Sequence, residues 1–188
     1  KLFEAIDGAK ETINVSYYIL DNDKLGNEFA DKLIAAKARG VEVRLSLDGI
    51  GTQLINQLSN QGKLVDRLEK AGIEVHRNVP FDPTRKEMMN HPDHRKIVVV
   101  DGKIGFTGWM NVGSHYIDPY HDVMVRMEGD SVKQMQSEWM GQWMHMGGKF
   151  PEDDATFRTR YFPELKTPPG NQTIKVAQHI PGENREIL

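Results

Sequence analysis

Runs rich in β-branched and aromatic residues alternate with amphipathic stretches along this chain, and that alternation restricts its fold more than any other feature. A short helix is predicted over residues 1–10, with Leu2, Phe3 and Ile6 on one face. Residues 12–20 (TINVSYYIL) read as a strand. Asp21-Asn22-Asp23 then offers an N-cap, and a helix is predicted to about Arg39, with Leu25, Phe29, Leu33 and Ile34 inward. Gly40 ends it, and residues 41–47 (VEVRLSL) form the next strand. A further helix over 60–71 turns Leu64, Val65 and Leu68 inward and stops at Gly72, before a short strand at 73–76. Residues 78–93 hold three prolines and little periodicity, so they read as a loop. Strands at about 95–100 and 103–107 meet through Asp101-Gly102, a tight-hairpin signal. One more strand is predicted at 123–127 and a helix at 131–146. Strands alternating with helices give the α/β class, and the hairpin makes the central β-sheet mixed, flanked by helices.

The last helix carries Val132, Met135, Trp139, Trp143 and Met146 at helical spacing. Its polar side (Gln134, Gln136, Glu138, Gln142) has almost no basic residues, which argues for core or inter-lobe packing rather than membrane contact. Residues 1–148 are expected to form one lobe and 149–172 a Gly/Pro/Asp-rich linker. Residues 173–188 open with TIKVAQ, strand-like again, and read as the truncated start of a second lobe. The chain begins at Lys1 and looks cut at its start.

With 24 lysines plus arginines against 27 aspartates plus glutamates, the net charge is −3, so the overall charge makes no case for a nucleic acid partner and leaves room only for a local basic site. The absence of cysteine removes disulfides, thiolate metal sites and a cysteine nucleophile. The longest apolar run, about four residues at 97–100, is far short of a membrane span.

The chemistry lies in one stretch, HRKIVVVDGKIGFTGWMN, residues 94–111. His94 and Lys96 are two apart on a strand and project from one face. An imidazole beside an ammonium is awkward in a core and apt for facing an anion. Lysine holds phosphate as a point charge, and histidine attacks phosphorus or moves a proton. Asp101 follows four apolar residues later, then Gly108 and Asn111, whose amide is placed to donate to the same oxyanion. Asp101 also suits a simpler role, bonding its own turn. His91 and His94, three apart with Asp93 between them, could suggest a metal site, but Pro92 and the absence of a clear third ligand speak against it.

This stretch resembles the HxKxxxxD motif of the phospholipase D superfamily, and HRKIVVVDGKIGFTG is similar to the first motif of bacterial cardiolipin synthases. The likeness runs through SYYILDND, VEVRLSLDGIG and HDVMVRMEGDSV to IKVAQHIPGENREI, nearly the whole chain. It implies a phospholipase D-like lobe that transfers a phosphatidyl group between alcohols through a phosphohistidine, with no cofactor or metal. By the same resemblance His94 is the nucleophile or its acid partner, and Lys96, Gly108 and Asn111 hold the phosphate. Asp101 orients a histidine or stabilises the site. Trp109, where relatives have glycine or serine, lines the pocket or an acyl groove, and His121 and Asp122 stand behind it. The implied partners are a phosphatidylglycerol-like phospholipid, an alcohol acceptor, a membrane surface, and a second motif from a missing C-terminal half or a homodimer mate. The implied place is the cytoplasmic face of a bacterial inner membrane. The rivals are a homodimeric single-motif phosphodiesterase or nuclease of the same superfamily, and a degenerate, non-catalytic lobe.

Overall fold

A computed structural model describes residues 1–49, 61–78, 93–118, 121–150, 154–165 and 170–177. Its centre is a six-stranded sheet in the order β3-β2-β1-β4-β5-β6. The strands are β1 (Thr12–Tyr17), β2 (Glu42–Asp48), β3 (Glu74–Asn78), β4 (Ile97–Val100), β5 (Ile104–Gly108) and β6 (Met124–Glu128). The first three are mutually parallel, while β4 runs antiparallel to β1, β5 to β4 and β6 to β5. The sheet is therefore mixed, as the hairpin signal requires.

Helices cover both faces. On one side α1 (Leu2–Gly8), α2 (Lys24–Ala38) and α3 (Gln61–Lys70) bury Ile6, Phe29, Leu33, Leu64 and Leu68 against Ile13, Val15, Leu45 and Val98. The Asp23 carboxylate accepts the Gly26 amide at 2.9 Å and caps α2, as the Asp-Asn-Asp run anticipates. On the other side α4 (Asp130–His145) packs Val132, Met135, Trp139 and Trp143 onto Ile97, Val99 and Met127. Gln136, expected on the polar face of this helix, is fully buried instead. Asn14 on β1 is an inward-facing amide, and its Nδ2 donates to Gln136 Oε1 at 3.1 Å, so one buried polar group calls for another.

The stretch expected as a linker contains α5 (Asp154–Tyr161), whose Phe157 and Tyr161 join the second core with Phe150. Arg44 is the reason. It lies buried on β2, ion-paired with Glu42, donating to Tyr161 Oη at 2.6 Å and stacked 4.9 Å from the Phe150 ring. A buried guanidinium needs such a cage. Residues 173–177, the described part of the strand expected over 173–178, pair with no ladder among the described residues, and the Val176 amide donates to Gln134 Oε1 at 3.1 Å. Residues 178–188 and most of the 78–93 loop, with Arg85, Lys86, His91 and Pro92, lie outside the described residues, as does Tyr120. No helix among the described residues is long and apolar enough to cross a membrane.

Candidate active site

Strand direction decides what meets what. The carboxyl ends of β1, β2, β3 and β5 share one end of the sheet with the amino ends of β4 and β6. That end gathers Tyr18 after β1, Asp48 closing β2, His94 and Lys96 before β4, Asn111 after β5 and Asp122 before β6. Crevices at the carboxyl ends of parallel strands are where open α/β sheets place ligands.

Lys96 is 3% exposed while its neighbour His94 is open to solvent. The Lys96 ammonium lies 2.9 Å from His94 Nδ1 and 3.2 Å from Nε2, and donates to the His94 carbonyl at 2.7 Å. A ring nitrogen accepts only when unprotonated, so the neutral imidazole fits this contact. Tyr18 covers the pair, its ring 4.6 Å from the His94 ring and 5.5 Å from Lys96 Nζ. Burial and the Lys96 charge hold the imidazole below its usual pKa, against the opposing pull of Asp48 and Asp93. Burial likewise pushes Lys96 down to about 8, with Asp93 and Asp122 pulling the other way. His94 is thus an accessible imidazole that is neutral at pH 7, beside a buried cation that meets no carboxylate directly among the described residues.

The sequence reading missed Asp48 and the full role of Asp93. Asp48 is 1% exposed and accepts the Asp93 amide at 2.7 Å, fixing the backbone just before His94. Asp93 in turn accepts Arg95 Nε at 2.7 Å and the Ser16 hydroxyl at 3.4 Å. A lone aspartate ending a strand carries no periodic signal, although the run LSLDG does place Asp48 where a strand stops. Asp48→Asn keeps an acceptor for the Asp93 amide but removes the charge that favours the imidazolium. The acidic limb of a kcat/KM–pH profile should therefore move to lower pH, and an unmoved limb would count against the electrostatic role.

Other expected site residues are placed differently. Asp101 lies at the opposite end of the sheet. Seven residues of extended chain put it roughly 20 Å from His94. Its carboxylate accepts the backbone amides of Lys10 at 3.0 Å, Glu11 at 2.8 Å and Thr12 at 3.0 Å. Its φ of 52°, with Gly102 at 61°, builds the tight hairpin turn. Among the described residues no histidine meets its carboxylate. Gly108 has a packing reason, because a Cβ there would run into the Val123 carbonyl just before β6. Asn111 is buried, and its Oδ1 accepts the Ile19 amide at 3.1 Å. That bond ties the loop after β5 to the loop after β1, where Leu20 also bridges Val112. The Asn111 NH₂ remains a donor. Asp122 is half-buried and acts electrostatically on Lys96, whereas His121 is exposed. Trp109 stands 75% exposed on the rim, its amide bonded to the Val123 carbonyl at 3.1 Å.

A mixed α/β sheet with a histidine–lysine pair at its strand ends is the arrangement that the comparisons with known proteins identify. Residues 2–143 match the family described as "Cardiolipin synthase, PLD-like domain", and the chain belongs to that family. The curated relatives it resembles are bacterial. It is 33% identical to cardiolipin synthase 1 of Bacillus anthracis over 200 residues, covering 100% of this chain and 38% of the relative. It is 35% identical to a cardiolipin synthase of Oceanobacillus iheyensis over 193 residues, again covering 100% and 38%. The chain thus spans well under half the length of these relatives. Among solved structures, the phospholipase D family member Nuc of Salmonella typhimurium matches with a TM-score of 0.59 at 21% identity, covering 76% of this chain and 84% of the other.

Proposed function

We propose that this chain is the catalytic lobe of a phosphatidyltransferase, acting on a phospholipid phosphodiester through a phosphohistidine on His94. The observation that carries this reading is the buried Lys96 ammonium beside an exposed, neutral His94 at the strand ends. In the first half-reaction an imidazole nitrogen attacks phosphorus and the P–O bond to the leaving alcohol breaks. That alcohol takes a proton from a second histidine, supplied by another lobe or a second copy. In the second, an acceptor alcohol gives up its proton to that second histidine, attacks phosphorus and breaks the P–N bond to His94, forming the new phosphodiester. Lys96 and the Asn111 NH₂ hold the non-bridging oxygens, and Asp48 and Asp93 fix the position of His94. The substrate is phosphatidylglycerol-like and the acceptor is an alcohol. The place of action is the cytoplasmic face of a bacterial inner membrane. No metal or cofactor has a part.

The protonation states fix a pH window. His94 must be neutral, and its depressed pKa keeps it so from somewhat below 6.5 upward. Lys96 must be charged, and it loses its proton as pH rises through about 8. The kcat/KM of the intact protein on phosphatidylglycerol vesicles should therefore be bell-shaped, with an acid limb displaced below the ordinary histidine range and an alkaline fall above about 8. Lys96→Arg, always charged, should remove the alkaline fall even if it lowers the plateau. A profile still flat at pH 9.5 in the parent protein would exclude Lys96 as the phosphate-binding cation.

A further inference from the structure

We propose that the sheet edge beside the candidate site seats directly on a lipid bilayer, with Trp109 as its anchor. This rests on the phospholipid reading of the site and adds the surface that presents the substrate to it.

In the β5–β6 ladder Gly108 pairs with Met124 and Thr107 with Val125. Trp109 follows opposite Val123, its amide on the Val123 carbonyl. Opposite residues, and residues two apart, share one face of an antiparallel pair. Trp109, Val123 and Val125 therefore lie together on one face of the edge strand, and they are 75%, 64% and 48% exposed. Helix α4 covers the far part of that face over Gly105 and Met127 but not this end. Ile117, in the loop joining β5 to β6 at the same end, is also exposed.

Two arguments choose a bilayer over a protein partner. The exposed apolar area is roughly 400 Å², about half of the ~800 Å² per partner that a stable protein interface uses. It is also centred on an indole, the side chain that favours the boundary between head groups and acyl chains. The position is the one the chemistry needs. A phospholipid phosphodiester lies at head-group depth with apolar chains directly beneath, so a site that attacks it in place requires apolar contact at the end of the sheet that holds its phosphate-binding cation. The patch and Lys96 share that end, the patch on the face of Ile97 and Thr107 and Lys96 on the face of Val98.

The three tryptophans make the test direct, because Trp139 and Trp143 are buried and Trp109 is not. The intact protein is mixed with phosphatidylglycerol vesicles carrying brominated acyl chains, and the fluorescence of Trp109→Phe is subtracted to isolate Trp109. The expected result is a blue shift and at least twofold quenching of Trp109. Trp109→Ser with Val123→Ser should weaken vesicle binding or interfacial KM about tenfold. An unquenched Trp109 in protein that does sediment with vesicles overturns the proposal. So does a Trp109 already shielded from acrylamide without vesicles, which would mean that protein covers the patch. Orthovanadate binding by the parent protein reads the His94–Lys96 site separately, so loss of the seating surface and loss of the phosphodiester reading are distinguishable.

Discussion

Replacing His94 with alanine is expected to reduce phosphatidyl transfer by the intact protein at least about 10⁴-fold. The imidazole is the nucleophile in the proposed first half-reaction, and no nearby group among the described residues replaces it. Lys96 is cationic at neutral pH, Asp48 is buried behind the Asp93 amide, and the Tyr18 hydroxyl has its pKa raised by burial and by Asp48. Because Lys96 and Asn111 remain, KM for the lipid should change far less than kcat. Trapping with radiolabelled phospholipid followed by alkaline denaturation should leave acid-labile label on the parent protein and none on the variant. Activity above a few per cent of the parent would place the nucleophile elsewhere. The structure of His94→Ala should be intact, since the side chain is exposed and fills no core space.

Asp101 gives the opposite result although it belongs to the same motif. Asp101→Ala should cost about 2–3 kcal/mol of stability, from the three amides left without their carboxylate and from a left-handed turn position that alanine tolerates poorly. For a chain of this size that is a drop of roughly 5–10 °C in melting temperature. The kcat of the folded fraction, measured well below the transition, should stay within about threefold of the parent. Asp101→Asn, which tolerates the same turn and keeps one acceptor, should lose about half as much. A large fall in kcat with an unchanged melting temperature would return Asp101 to the chemistry. Circular dichroism melts with parallel initial rates separate the two outcomes.

The order of elements was legible because each carries a local signal. The Asp23 cap, Gly40 and Gly72 at helix ends, and the left-handed Asp101-Gly102 turn all act within a few residues. The His94–Lys96 pair was legible from period two. What was not legible depends on contacts between distant parts of the chain. Asp101 was read with its motif, yet its partners are Lys10 to Thr12, some ninety residues earlier. Asp48 reaches the site only because β1, β2 and β4 lie side by side. Gln136 looks solvent-facing until Asn14 is seen opposite. Helix α5 looked like linker because its pattern is weakly amphipathic, and Arg44, 117 positions away, is what draws Tyr161 inward.

The sheet keeps the His94–Lys96 pair of the proposed reaction at one end and its carboxylate-clamped turn at the other. Such an arrangement is permissive to evolutionary drift. Residues at the reactive end can be exchanged for new head groups or acceptors while the opposite clamp goes on holding the first strand in register. Selection on substrate range and selection on thermal robustness then act on separate sets of side chains, and a lobe built this way is well suited to being reused for related phosphodiester chemistries.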